Sequence, residues 1–519
     1  MRPTSPGRAR LVVLGFVSVA LVLAGLANAT IRPTRAPEVK WHLSADAFVT
    51  TSRAVRSSAW YCPGPLPIGA GPVASSIALA NLGGRVAHVK LVLARSGGAK
   101  TIAPVSVAAH AERVVGLARR GRRSEAAVAV LVQGVGVGVD EILHGPFGPS
   151  VAPCLTQTAS SAYLAPGDSE GADNVVLSLY DPSATPAVAD VALATSTGVI
   201  RPPALQGVPI GAGSFVTLDI GRALPGRAPI ATSVHARGGE VVAGALLTVA
   251  RGHGVDSSLV TASLRPARRW TFPPVPAGPT TSETLALYNP GRRAAQVLLR
   301  TGGSGGMAEA KAAVPAGGVV TIAPGSEDSS SATRFEQLSV TRGDPIVVGR
   351  ELVVAPSKAV AAFMMQREVV VRSVQVHGRM LRRRVPALVR VLSPLSLPAL
   401  PAGFAVGEAV SAPARRWLVP AGESDRRAGE LLEIANPGSL PTRVSVQVLQ
   451  SRGQSPSIPA VVVRGGGAIG LSLATLPRVS GDLALVVRAT QPIVVSGSLY
   501  ARGTEPALGV TTPIALPLR

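Results

Sequence analysis

Short apolar–polar alternations recur along the chain, each bounded by turn-forming residues. Leu285-Ala286-Leu287-Tyr288 and Leu432-Glu433-Ile434-Ala435 run directly into Asn-Pro-Gly. A second alternating run follows each such turn: Val86 to Leu93, Val188 to Leu193, Ala295 to Leu299 and Arg443 to Leu449. Period-2 patterning with β-branched residues predicts half-buried strands. Asn or Asp followed by Pro or Gly predicts a tight turn, because the side chain hydrogen-bonds its own backbone while Pro presets φ and Gly accepts positive values.

The pattern repeats four times. An aromatic residue with proline three positions later occurs at Trp60/Pro63, Tyr163/Pro166, Trp270/Pro273 and Trp417/Pro420. The turn residue follows 18 to 21 positions on, at Asn81, Asp181, Asn289 and Asn436. Each copy continues through a Gly-rich corner, such as Val314-Pro315-Ala316-Gly317-Gly318, and closes with a paired apolar run, such as Val340 to Val348 or Val487 to Val495. A period of this kind points to duplicated supersecondary units. The expected fold is all-β: four tandem immunoglobulin-like antiparallel β-sandwich modules, each of about 85 to 100 residues. The expected boundaries are 50–150, 151–256, 265–355 and 414–503, with 356–413 as a basic, apolar insertion and Pro-rich linker and 504–519 as a C-terminal tail. At 519 residues the chain accommodates four such units. Its 56 Gly and 45 Pro suit many turns without reaching the level of a disordered chain.

The first 29 residues read as a targeting segment. Arg2, Arg8 and Arg10 precede the apolar run Leu11 to Leu26, and Ala27-Asn28-Ala29 supplies the small residues of a cleavage site. An uncleaved signal anchor is the alternative, since the apolar run nearly reaches spanning length. Both readings place the remainder outside the cytoplasm. Cys62 and Cys154 are the only cysteines. In an exported chain they pair most economically as one disulfide, with free or intermolecular thiols as the other outcome. Closing a loop of that size stabilises a chain by about 4–5 kcal/mol in the chain-entropy picture.

The formal net charge is +22. Such a field favours anionic surfaces. Outside a cell these are wall polymers and lipid head groups, and no nucleic-acid recognition motif accompanies the charge. Most of the basic residues are arginine, which is also what a GC-rich coding bias produces. The insertion concentrates the charge: Arg367, Arg372, Arg379, Arg382, Arg383, Arg384 and Arg390 stand against the single acid Glu368, among Phe363-Met364-Met365 and Val369-Val370-Val371. These seven are the candidate anion-binding residues. The rival reading makes the segment the last strands of module 3 and a solvated linker.

No catalytic, cofactor or metal site is expected. Gly167-Asp168-Ser169-Glu170-Gly171 spells a nucleophile elbow, yet a strand pattern, not a helix, follows it. Arg342-Gly343-Asp344 aligns with Arg488-Ala489-Thr490 of the fourth copy and reads as a hairpin turn. Gly134 to Gly138 has no helix after it to offer a phosphate. The seven histidines are scattered singly, and no nucleophile, base and orienting acid can be grouped.

Trp60-Tyr61-Cys62 near the expected mature N-terminus, the second cysteine Cys154 and the repeated Asn-Pro-Gly turns resemble the secreted actinobacterial family known as domain of unknown function 5719. The resemblance implies an envelope-associated protein and brings no catalytic residues with it. Pro63-Gly64 after Cys62 and the basic insertion depart from the family pattern. The expected role is therefore non-catalytic: a structural or binding component of the cell envelope that contacts an anionic wall polymer, a membrane surface or other envelope proteins. An accessory factor for envelope glycopolymer assembly or export is the chief alternative, and a secreted hydrolase ranks third.

Overall fold

The computed structural model describes residues 58–518 apart from short segments, the longest of which are 65–73, 118–126, 325–332 and 503–509. The expected targeting segment and the arginine-rich sequence Arg119-Arg120-Gly121-Arg122-Arg123 lie outside the described residues. The fold is nearly all-β, and four sandwiches share one topology. In module 1 the first sheet runs Ser58–Cys62, Ala127–Gln133, Ala87–Arg95, Gly98–Thr101, with Val105–Val107 also on Ala87–Arg95. Its second sheet runs Ala111–Gly116, Ala74–Asn81, Val137–Gly145, Gly148–Pro153. Alternate residues of both sheets, including Ile77, Leu79, Leu91, Val130 and Val139, meet in the core between them.

Modules 2 to 4 repeat this strand order. In module 2 the second sheet is Phe215–Asp219, Asn174–Tyr180, Val242–Arg251, Gly254–Thr261. In module 4 one 21-residue strand, Gly481–Ala501, serves both sheets: its first half pairs with Ala414–Ser424 and Thr442–Gln450, its second with Ala428–Ala435.

The turn residues behave as one motif. Asn81, Asn289 and Asn436 each accept an N–H from two residues on, and each side-chain amide donates to the carbonyl four residues on: Arg85 (2.8 Å), Arg293 (2.9 Å) and Leu440 (2.8 Å). The same amides reach a strand across the turn at Val107, Val314 and Val463. Asp181 keeps only the acceptor half, to the Ser183 N–H at 2.8 Å, and its other oxygen is buried without a partner.

Three expected boundaries or alignments change. Module 3 does not end at residue 355. Its fourth second-sheet strand is Gly403–Gly407, which pairs with Val347–Val354 from beyond the insertion. The insertion therefore lies inside module 3, at the turn that modules 1 and 2 close between Gly145 and Gly148 and between Arg251 and Gly254. Of the expected tail 504–519, the described residues 510–518 are built into module 4. Val510–Thr511 is the fourth strand of the second sheet of module 4, and Leu516–Pro517 pairs with Trp417 and Leu418 along the edge of its first sheet. Chain composition hid this because a Pro-rich end reads as loop, whereas burial of Ile514, Leu516 and Leu518 holds it down.

Finally, Tyr163 is not the counterpart of the three tryptophans. Trp60, Trp270 and Trp417 pair across to Val130, Leu338 and Val487 and point into their cores, but in module 2 the equivalent register position belongs to Ala162, opposite Val234. A one-residue slip turns a strand residue to the other face, so Tyr163 points outward.

That outward face is covered, because each module's first sheet packs against the second sheet of the next. Tyr61 meets Tyr180 of module 2 edge-on at 6.3 Å, and Tyr163 meets Tyr288 of module 3 at 6.4 Å, the same contact one step on. The Ser178 hydroxyl donates to the Pro63 carbonyl at 2.6 Å, and Ser496 of module 4 donates to Pro274 of module 3 at 3.2 Å. Module 4 then contacts module 1. The Ala421 N–H donates to Asp140 at 3.3 Å, and Leu418 and Leu516 press on Gly138.

The last strands of the four second sheets meet in the same cyclic order. Ser150 accepts from the Leu259 N–H (2.6 Å), Ser258 from the Val406 N–H (2.9 Å) and Thr511 from the Val151 N–H (3.1 Å). Ala405 occupies the fourth such position and cannot accept. The modules are thus not a string but a closed cycle within the single compact unit spanning 41–519.

Asp181→Asn restores the donor half of the motif and should raise stability by about 1 kcal/mol in denaturant titration, while Asn289→Asp should lower it by roughly 1–3 kcal/mol. Gly138→Val introduces the residue found at the equivalent positions Val242, Val347 and Val494, so module 1 tolerates it. Its Cβ, however, would stand 2.2 Å from a Leu418 methyl. Amide exchange at Val151 should accelerate in this variant while exchange in module 2 stays unchanged.

Candidate functional site

Charged side chains in these strands are unusually well buried. In module 3, Arg350 is 0% exposed between Glu283 and Glu336, which are also 0% exposed, at 3.7 and 3.5 Å. Its guanidinium donates to the Pro273 carbonyl at 2.7 Å and lies 5.2 Å from the Phe272 ring centroid. Arg334 closes the group, with two nitrogens at 3.0 and 2.8 Å from Glu283. Burial, then the neighbouring Glu283 carboxylate, pushes the Glu336 carboxyl well above its ordinary range.

Further carboxyls lie at or near module seams. Glu433 accepts from Ser496 and Ser498, and burial raises it to about 8 despite those hydroxyls and Arg350. Glu141 accepts from the Gly64 N–H at 3.2 Å and from Ser75, and burial raises it to about 7. Glu408 accepts from Thr261 of module 2 at 2.8 Å, and desolvation takes it to about 8. Asp140 and Glu430, at the seam between modules 4 and 1, are raised well above the usual range, chiefly by burial. Asp140 raises Glu430 further, and both Glu430 oxygens are buried without a hydrogen-bond partner. Among the described residues no group of three or more His, Cys, Asp or Glu is placed to hold a metal ion.

The motif-like residues are tied down structurally. The Ser169 hydroxyl donates to the Leu224 carbonyl at 2.6 Å and accepts from the Arg227 N–H, and the strand Asn174–Tyr180 follows it. Asp344 accepts from the Arg292 and Arg293 amides and from the Arg293 guanidinium, which fastens the Asn289 turn. Its neighbour Gly343 sits at φ 90°, where a Cβ would lie 1.9 Å from the Ala294 carbonyl oxygen. Cys62 and Cys154 are joined, with 4.6 Å between their Cα atoms, where the end of the first strand of module 1 meets the connector to module 2. Tyr61 and Leu155 exchange backbone hydrogen bonds beside them.

The seven arginines lie on one element. Phe363–Val376 and Arg379–Leu392 form a two-stranded antiparallel hairpin of 14 residues per strand, with no third strand pairing with it among the described residues. The register puts Arg372 opposite Arg383, Arg382 opposite Ser373, Arg384 opposite Val371, Arg379 opposite Val376, Arg367 opposite Leu388 and Arg390 opposite Met365. The hairpin gathers all seven candidate arginines, and neither the cysteines nor the buried carboxyls belong to it.

One family model matches. It describes a family of unknown function (DUF5719) and covers residues 148–333. That stretch takes in the last strand of module 1, all of module 2 and most of the strands of module 3, but not the hairpin. No curated protein matches the chain. Among solved structures, a tetra-tandem repeat from the extending region of a large adhesion protein shares 13% identity over 83% of this chain and 91% of that one, with a TM-score of 0.08.

The buried acids were overlooked in the sequence although a signal existed. Val137-Gly-Val-Asp140-Glu141-Ile and Ala428-Gly-Glu430-Leu-Leu-Glu433-Ile place acids within strands that are otherwise apolar. Their raised values set a pH dependence. The folded protein keeps protons on Glu141 and Glu433 that the unfolded chain releases near pH 4.3, so stability should be greatest at mildly acidic pH. It should fall as pH rises, until Glu141 ionises at about 7 and Glu433 at about 8. Each such group contributes a slope of about 1.4 kcal/mol per pH unit in that window. The thermal midpoint should therefore be lower at pH 8 than at pH 5, and Glu433→Gln should flatten part of the difference.

Proposed function

We propose that this protein is a non-catalytic, extracytoplasmic scaffold whose four sandwiches hold the arginine hairpin against anionic material of the cell envelope. The hairpin is the observation that carries this reading. It gathers seven arginines on a single element with one acid, and it grows from a turn that modules 1 and 2 close within a few residues. The cyclic packing supports a presenting role, since the modules bury one another's faces and leave the insertion as the added feature of module 3.

The disulfide fits an extracytoplasmic location, because thiols stay reduced in most cytosols. Among the described residues no helix is long and apolar enough to cross a membrane. The dispersed His and the structural engagement of Ser169 favour binding over hydrolysis. Envelope proteins remain the other class of partner for such a scaffold.

The purified protein should be retained on isolated envelope material and released as salt rises, because exposed charges more than about 8 Å apart are screened at physiological ionic strength. Replacing residues 359–398 by a short Gly-containing turn, which keeps Leu400 packed with Val354, Leu431 and Tyr500, should abolish retention and leave the thermal midpoint nearly unchanged. Undiminished retention by that variant would sink the reading.

A further inference from the structure

Resting on this reading, we infer that the hairpin docks on an anionic phospholipid surface, with its arginines on the lipid phosphates and its aliphatic residues at the level of the acyl-chain boundary. At about 3.3 Å per residue its 14-residue strands extend roughly 45 Å. A two-stranded ribbon is marginal in water without a third strand or a packed face, and no third strand pairs with this one among the described residues. It needs a cover, and its sequence limits what that cover can be.

Residues opposite one another in the register, and every second residue along a strand, fall on one side of the ribbon. One side then carries Arg372, Arg379 and Arg383 with Val370, Val374 and Leu381. The other carries Arg367, Arg382, Arg384 and Arg390 with Val369 and Leu388. Both sides combine positive charge with aliphatic residues. Arg372 directly opposite Arg383 is an unfavourable like-charge pair, which a bound anionic group would relieve.

A second copy of the hairpin would double the arginines and bring only one further acid, so self-pairing lacks charge complementarity. A hydrophilic phosphate-bearing polymer would neutralise the arginines and leave the aliphatic residues in water. A lipid interface satisfies both, as for other amphipathic segments that lie in the head-group region.

The test is co-sedimentation of the full mature chain with vesicles of equimolar phosphatidylcholine and phosphatidylglycerol, with pure phosphatidylcholine vesicles and soluble polyphosphate as parallel arms. Binding to the mixed vesicles is expected, with little on the neutral ones and weaker binding to polyphosphate. Arg382→Gln, Arg383→Gln and Arg384→Gln together should weaken partition about a hundredfold, at roughly fivefold per basic residue near an anionic surface. Val370→Ser with Val385→Ser, which keeps every charge, should weaken it too, and circular dichroism checks that each variant stays folded.

Polyphosphate binding as tight as vesicle binding and indifferent to the Val changes would overturn the lipid assignment and leave the anionic-envelope function standing. A hairpin-dependent dimer in sedimentation velocity, with no vesicle binding, would overturn it in favour of a second copy. Absence of binding in every arm, together with undiminished envelope retention by the hairpin-less variant, would remove both readings.

Discussion

Each sandwich makes a second sheet that is apolar on both faces. One face meets its own first sheet and the other has to be shielded from water by something else. Val176, Tyr180, Val242 and Leu246 of module 2 illustrate this: they face away from their own core and cluster with Ala94 and Ala129 of module 1. Leaving such a face exposed would forfeit about 25 cal/mol for every Å² of apolar surface. The neighbouring module is the cover, and the demand passes from module to module until module 4 covers module 1.

Closure explains features that look idiosyncratic one module at a time. Gly138 stands where the other copies have valine because Leu418 and Leu516 occupy the space. The serines and threonine at positions 150, 258 and 511 hold the adjoining strand of the next module, and the C-terminal residues 512–518 do for module 4 what the connectors after modules 1 to 3 do for theirs. The disulfide reinforces the first of those connectors. Seams differ in chemistry, however. Tyrosine pairs join modules 1 to 2 and 2 to 3, and Glu408 is buried at the second of these, whereas Glu433, Asp140 and Glu430 lie at the seams that involve module 4.

Buried acids are a costly way to fill a seam, since a lone ionised carboxylate in an apolar setting is expensive and the group takes up a proton instead. Arg350 lies beside two carboxyls, a backbone carbonyl and an aromatic face. Removing any one partner of such a group is more damaging than the net worth of the intact pair. The hairpin gathers the candidate binding residues on a ribbon separate from these buried groups.

Local chemistry determined the strands, the turns and the repeat, because alternation and Asn-Pro-Gly act within a few residues and need no distant partner. The four copies, their sandwich class and the grouping of the seven arginines were therefore legible. The register of Tyr163 was not, since the Tyr-to-Pro spacing fits both faces and only packing against Tyr288 selects one. Nor could the sequence place Gly403–Gly407 in module 3, or Val510–Thr511 in module 4, because strand pairing across an insertion or a loop is a long-range choice. Closure of the cycle lay furthest from view. It depends on whether module 4 can present Leu418, Ala421 and Thr511 to module 1 at the same time, and tertiary geometry alone settles that.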